Sequence, residues 1–156
     1  MSEKHADRSL DDWQYYQCRM NGELASVFLD MGMKYVAPMP GMSKLTWLWI
    51  RMNSPREDGL SSDDEFDALC TFEDSLERAL TAVGALKYVG RITTSGRREF
   101  YFYVPPHCQF EECVRKFLES NQQFDLQMGE KADPDWHQYL HTLYPGDRGL
   151  EQIMKP

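Results

Sequence analysis

Hydrophobic and polar positions along this chain change period several times, and each change marks an element. Aromatics crowd Trp13 to Cys18, Asn21-Gly22 follows, and Glu23 to Asp30 is again mostly apolar. An Asn-Gly step between two such runs is the strongest short-range signal for a β-hairpin, because both residues tolerate the left-handed backbone of a two-residue turn. Met31 to Met42, with two prolines, two glycines and four methionines, predicts a loop with one short helical turn. Lys44 to Met52 is apolar on both sides, as a strand covered on both faces requires. Asn53 to Leu60, with Pro55 and Gly59, reads as a connector.

The period then becomes helical. Ser62 and Glu65 fit a capping box, and Asp63 and Asp64 complement the positive end of a helix. Phe66, Leu69, Phe72, Leu76, Leu80 and Val83 recur at the spacing of one buried stripe, and Gly84 is a helix stop. Ala85 to Thr94 and Arg97 to Val104 predict a second hairpin around Ser95-Gly96, ended by Pro105-Pro106. Gln109 to Ser120 is a second helix, with Phe110, Cys113, Val114, Phe117 and Leu118 on its apolar side. Phe124, Leu126 and Met128 alternate in a last strand. Asp133-Pro134 reads as N-cap and first residue of a short helix carrying Trp136, Tyr139, Leu140 and Leu143. Leu150, Ile153 and Met154 suggest one more docked turn.

From Lys44 to Met128 the order is strand, helix, strand, strand, helix, strand, the split βαβ pattern of a ferredoxin-like antiparallel sheet. The expected fold is α+β: that sheet, an N-terminal β-hairpin and a short C-terminal helix. Residues 1–10 read as a flexible N-terminus and residues 11–156 as a single domain. Alternation then assigns faces. Phe100, Phe102, Val104, Leu48, Ile50, Leu86, Tyr88 and Ile92 should face the two helices. Trp47, Trp49, Val89, Arg91, Thr93, Tyr101 and Tyr103 should share the opposite face. That face is too aromatic to stay bare, so the N-terminal hairpin or the Trp136 segment should cover it, with a groove left where Arg91, Arg97 and Glu73 meet. Left open, it would be a binding platform of the kind on which RNA-recognition sheets stack bases.

The net charge of −8 weighs against that use, because nucleic-acid binding needs a basic footprint, and no RNP-like motif is present. It suits a basic protein partner. The N-terminus has no apolar signal-peptide core and no run is long enough to span a membrane, so a cytoplasmic protein is expected. Cys18, Cys70, Cys108 and Cys113 then read as reduced thiols. Cys108-x4-Cys113 is not a zinc spacing, and His137 and His141, at i and i+4, lack the further ligands a metal needs. No cofactor motif, phosphate-binding glycine loop or nucleophile elbow occurs. Glu73 stands inside the first helix's apolar stripe and needs a partner there. By topology, Arg91, Arg97 and Arg98 are the nearest.

Four segments together resemble the bacterial domain of unknown function 695 family: Trp13 with the Asn21-Gly22 hairpin; Leu69-x-x-x-Glu73-Asp74-x-Leu76; Gly90-Arg-Ile-Thr-x-x-Gly96-Arg97-Arg98-x-Phe-Tyr; and Asp133-Pro-x-Trp136-x-x-Tyr139 ending in Leu143-Tyr-Pro145. They run over most of residues 11–145. Before the first helix that family usually has Asn-Gly-Leu-Pro, where this chain has Glu57-Asp-Gly-Leu-Ser61. The family is in turn distantly similar to the ribonuclease E inhibitor B family, acidic ferredoxin-like proteins that act by binding an enzyme. The resemblance implies a regulator.

The functional expectation is therefore a non-enzymatic cytoplasmic protein-binding or regulatory module, with a nuclease or other basic protein as partner. The alternative is an enzyme for a small anionic substrate, with Glu73 or Asp74 as acid or base and an arginine cluster gripping the anion. The candidate binding residues are Glu73, Asp74, Arg91, Thr93, Arg97, Arg98, Tyr101, Tyr103 and Trp136.

Overall fold

Two tight turns organise the chain. Asn21 and Gly22 have φ of 53° and 83°, and Ser95 and Gly96 have 53° and 80°. Two consecutive left-handed residues match the twist of the strands they join. In the computed structural model, which describes residues 11–80 and 84–155, these turns link β1 (Trp13–Met20) to β2 (Glu23–Asp30) and β4 (Lys87–Thr94) to β5 (Arg97–Val104). With β3 (Lys44–Arg51) and β6 (Leu126–Ala132) they form one antiparallel six-stranded sheet of order β1-β2-β4-β5-β3-β6. The mixed α+β expectation holds. The N-terminal hairpin lengthens the sheet beside β4 and does not fold across it.

Helices α1 (Phe66–Leu80) and α2 (Phe110–Glu119) pack on one face. Leu69, Phe72, Leu76, Phe110, Val114 and Phe117 bury against Leu48, Ile50, Phe100 and Phe102. Helix α3 (Asp147–Met154) lies along β1. The opposite face is covered by Met33, Met42 and the segment after β6. Trp136 is fully buried, its ring 4.1 Å from that of Tyr103 and nearly parallel to it. Its indole N–H donates to the Met42 carbonyl at 2.9 Å, and the Tyr139 hydroxyl donates to the Asp30 carbonyl at 2.5 Å. The aromatic face is therefore core over Tyr101 and Tyr103, while Trp47 and Trp49 stay half-buried.

Four local expectations need correction. Glu65 closes no capping box: its carboxylate turns away to accept the Asn53 and Ser54 backbone N–H groups at 2.6 and 2.8 Å, and the Ser62 hydroxyl caps nothing. Phe66 leaves the stripe and is 56% exposed. The segment after Asp133 does not become helical at Pro134. It first makes a turn, Trp136 takes φ +54°, and a π-helical turn follows over Gln138–Leu143. Stacking on Tyr103 fixes Trp136, and Asp133 caps what comes after by accepting the N–H groups of His137 (2.9 Å) and Gln138 (3.0 Å). The expected stripe residue Val83 lies outside the described residues.

The fourth correction matters most. Tyr88 pairs with Phe102, but Gly90 pairs with Tyr101, so Val89 is an extra residue on β4. A bulge of this kind throws alternation out of phase. Val89 keeps its expected place on the Tyr101 face, but Ile92 joins it there and Arg91 and Thr93 move to the helix-bearing face, opposite to expectation. Gly90 makes the bulge possible, since a Cβ there would sit 2.8 Å from the Phe28 carbonyl oxygen. Gly90→Ala is expected to cost about 1–3 kcal/mol through overpacking. Urea unfolding checks this, and a change within about 0.5 kcal/mol would show that β2 gives way freely.

Candidate functional site

The sheet is wider than its two helices. Beyond α1, β1 and β2 carry the helix-bearing face onward, and there Tyr15, Gln17, Ser26 and Phe28 stand beside Arg91, Thr93 and Arg98. Register brings them together: Ser26 pairs with Gln17 and with Thr93, Phe28 with Arg91, and Thr93 with Arg98. The far wall is the loop carrying Arg56, Leu60 and Ser61, together with Phe66 at the start of α1. This loop is pinned to the β4–β5 turn. The Gly96 N–H donates to the Gly59 carbonyl at 3.0 Å, and the Arg56 N–H to the Leu60 carbonyl at 2.8 Å. Gly59 has φ +88°, and a Cβ there would meet the Ser95 nitrogen at 2.8 Å, so both backbone and space require glycine. The pocket measures about 300 Å³, is open to solvent, and has three arginines and no acidic residue in its lining.

The three guanidinium groups are not equivalent. Arg91 forms an ion pair with Glu73 and lies 4.5 Å over the Phe28 ring. Glu73, the carboxylate inside the helical stripe, also accepts the Tyr88 hydroxyl at 3.2 Å. Arg56 pairs with Asp58 at 2.5 Å. Arg98 is only 6% exposed and has no ion pair among the described residues. Its Nε donates to the Thr93 hydroxyl at 3.0 Å and a terminal nitrogen donates to the Ser61 hydroxyl at 3.4 Å. Both acceptors are neutral. Buried charges are ordinarily paired, because desolvation is expensive. Burial, and then the like charge of Arg91, push the Arg98 side chain down to about 10. The Glu73 carboxylate pulls the other way without touching Arg98, so what remains in the pocket is one buried guanidinium with no ion pair among the described residues.

Of the nine expected site residues, Glu73, Arg91, Thr93 and Arg98 gather here. Asp74 is exposed on α1 and does not line the pocket. Arg97 is on the other face, paired with Glu99 at 2.6 Å and set 5.6 Å over Trp49, so Arg91, Arg97 and Glu73 do not meet in one groove. Tyr101 donates to Glu99 beside a smaller groove of about 180 Å³ that Trp47 and Trp49 also line. Tyr103 and Trp136 are core. Sequence reasoning missed Tyr15, Gln17, Ser26, Phe28, Arg56, Ser61 and Phe66. Their one legible signal was Phe66, an apolar residue within a run of acids.

The His137 and His141 rings lie side by side, centroids 4.4 Å apart and tilted by 39°, and no cluster of three or more metal-ligating side chains occurs among the described residues. Nor, among them, is any helix long and apolar enough to cross a membrane. The chain belongs to DUF695, a family of unknown function whose family model matches residues 11–144. No curated protein and no solved structure matches the chain.

Proposed function

We propose that this member of the DUF695 family is a non-enzymatic binding module that holds a small anion in the Arg56–Arg91–Arg98 pocket. Arg98 carries the reading. A guanidinium that is 94% buried on two neutral hydroxyls is an incomplete arrangement, and an incoming anion completes it. Two features favour binding over chemistry. Glu73 is already committed to Arg91 and Tyr88, which leaves it unsuited to acid–base work. The hydroxyls lining the pocket have no histidine beside them in that lining to act as base. The strand order β4-β5-β3-β6, with α1 and α2 on one face, supports reading this part as a ferredoxin-like unit extended by the β1–β2 hairpin. Four free cysteines suit a reducing, cytoplasmic setting.

A basic protein partner is the second reading. Asp63, Asp64, Asp67, Asp74 and Glu77 are all exposed along α1 and the turn before it, and such a ridge favours a basic surface. On that reading the module is a regulator, and anion capture is one of its inputs.

Melting the protein in phosphate or sulfate against chloride at equal ionic strength tests the anion reading. At ten times the dissociation constant, a site on the folded state alone adds about 1.4 kcal/mol. For a chain of this size that is a rise of roughly 3–5 °C. Superimposable melts in all three salts at high millimolar concentration would overturn it.

A further inference from the structure

We infer that the pocket takes a nucleoside monophosphate, with the phosphate on Arg98 and Arg91 and the base against Phe66 and Tyr15. The inference rests on the anion reading above and adds the ligand's chemical class. Phe66 is 56% exposed and Tyr15 is 65% exposed, and both line the pocket that holds the three arginines. Phe66 opens α1, yet it is left out of the helix core that buries Leu69 and Phe72. Inorganic phosphate would leave both rings idle. A planar base would use them, and stacking of this kind accepts any base because each has a π-face.

Size and charge narrow the class. The pocket, at about 300 Å³, is at the small end of ligand sites, enough for a phosphate and a sugar with the base at the rim. Gln17 and Ser26 add polar groups to the same lining, where a sugar can use them. Glu73 and Asp58 already pair with Arg91 and Arg56, so of the three arginines Arg98 is the one without an ion pair among the described residues. One unpaired guanidinium suits a single phosphate better than a polyphosphate chain.

Calorimetric titration of the full chain with inorganic phosphate, ribose 5-phosphate, and adenosine and uridine 5′-monophosphate tests this. The two nucleotides should bind about tenfold or more tighter than ribose 5-phosphate, the scale of one stacked base. Phe66→Ser and Tyr15→Ser, both at exposed positions, should erase that ratio and leave the melting curve of the ligand-free protein unchanged. Equal affinity for nucleotides and ribose 5-phosphate would overturn the inference while leaving the anion reading intact. So would a nucleotide preference that survives both substitutions. If no phosphate compound binds, both fall.

Discussion

Trp136→Ala is expected to cost about 3–5 kcal/mol in chemical denaturation, the range for emptying a large buried aromatic site. Trp136 is fully buried, stacks on Tyr103 and donates to the Met42 carbonyl. It therefore ties the segment after β6 to both the sheet and the loop before β3. Alanine would remove the stack, orphan that carbonyl and loosen the cover over Tyr101 and Tyr103. The backbone supplies a finer test. Trp136 has φ +54°, a conformation that costs a non-glycine residue about 1–2 kcal/mol. Trp136→Gly should therefore be the milder change by about 1 kcal/mol, although it removes more atoms. A loss below about 1 kcal/mol for Trp136→Ala would mean that the segment lies loosely and the aromatic face is available to a partner.

What was legible along the chain was what local chemistry decides. Asn21-Gly22 and Ser95-Gly96 announced their turns because few other residues tolerate two left-handed steps. The split of Phe100 and Phe102 from Tyr101 and Tyr103 followed from pleating alone, as did Leu48 and Ile50 against Trp47 and Trp49. Alternation failed at one residue, Val89, and that failure moved half of the site. A bulge depends on what the glycine beside it touches, here the Phe28 carbonyl on β2, and no local pattern carries that contact. The pairing of β2 with β4 is similarly non-local. Without it, Arg91 and Phe28 cannot be known as neighbours, and the strip of sheet beyond α1 has no existence in the sequence. That Glu73 needs a cation was legible, because a carboxylate in an apolar stripe demands one, but the choice of Arg91 among Arg91, Arg97 and Arg98 depends on the bulge that turns it to the helix-bearing face. The Trp136 helix start failed because Asp133-Pro134 is a local signal, overruled by a stack that forms only once β5 and the chain after β6 are in place.

Arg98→Met should separate binding from stability more sharply than any other change. Hydrogen bonds from a charged group are worth about 1.5–3 kcal/mol, so anion affinity should fall roughly ten- to hundredfold. Stability should move the other way or hardly at all. Replacing a buried charge by an apolar side chain of similar length is often neutral or stabilising, and Thr93 and Ser61 lose only a donor. Were Arg98 a structural strut, the same change would cost about 3–5 kcal/mol, as breaking a buried pair does. Arg98→Lys should keep part of the affinity, because the charge remains but the planar fork is lost. Alkaline pH gives an independent check. Burial holds Arg98 down to about 10, below the ordinary 12.5, so the unfolded chain keeps this proton more tightly than the folded one. The charge therefore weighs against the fold at neutral pH, and that cost shrinks as pH rises past about 10. The stability difference between Arg98→Met and the parent should narrow over that range. A difference that stays constant across it would mean that Arg98 titrates as a solvated side chain, and the pocket would lose its claim to an unanswered charge.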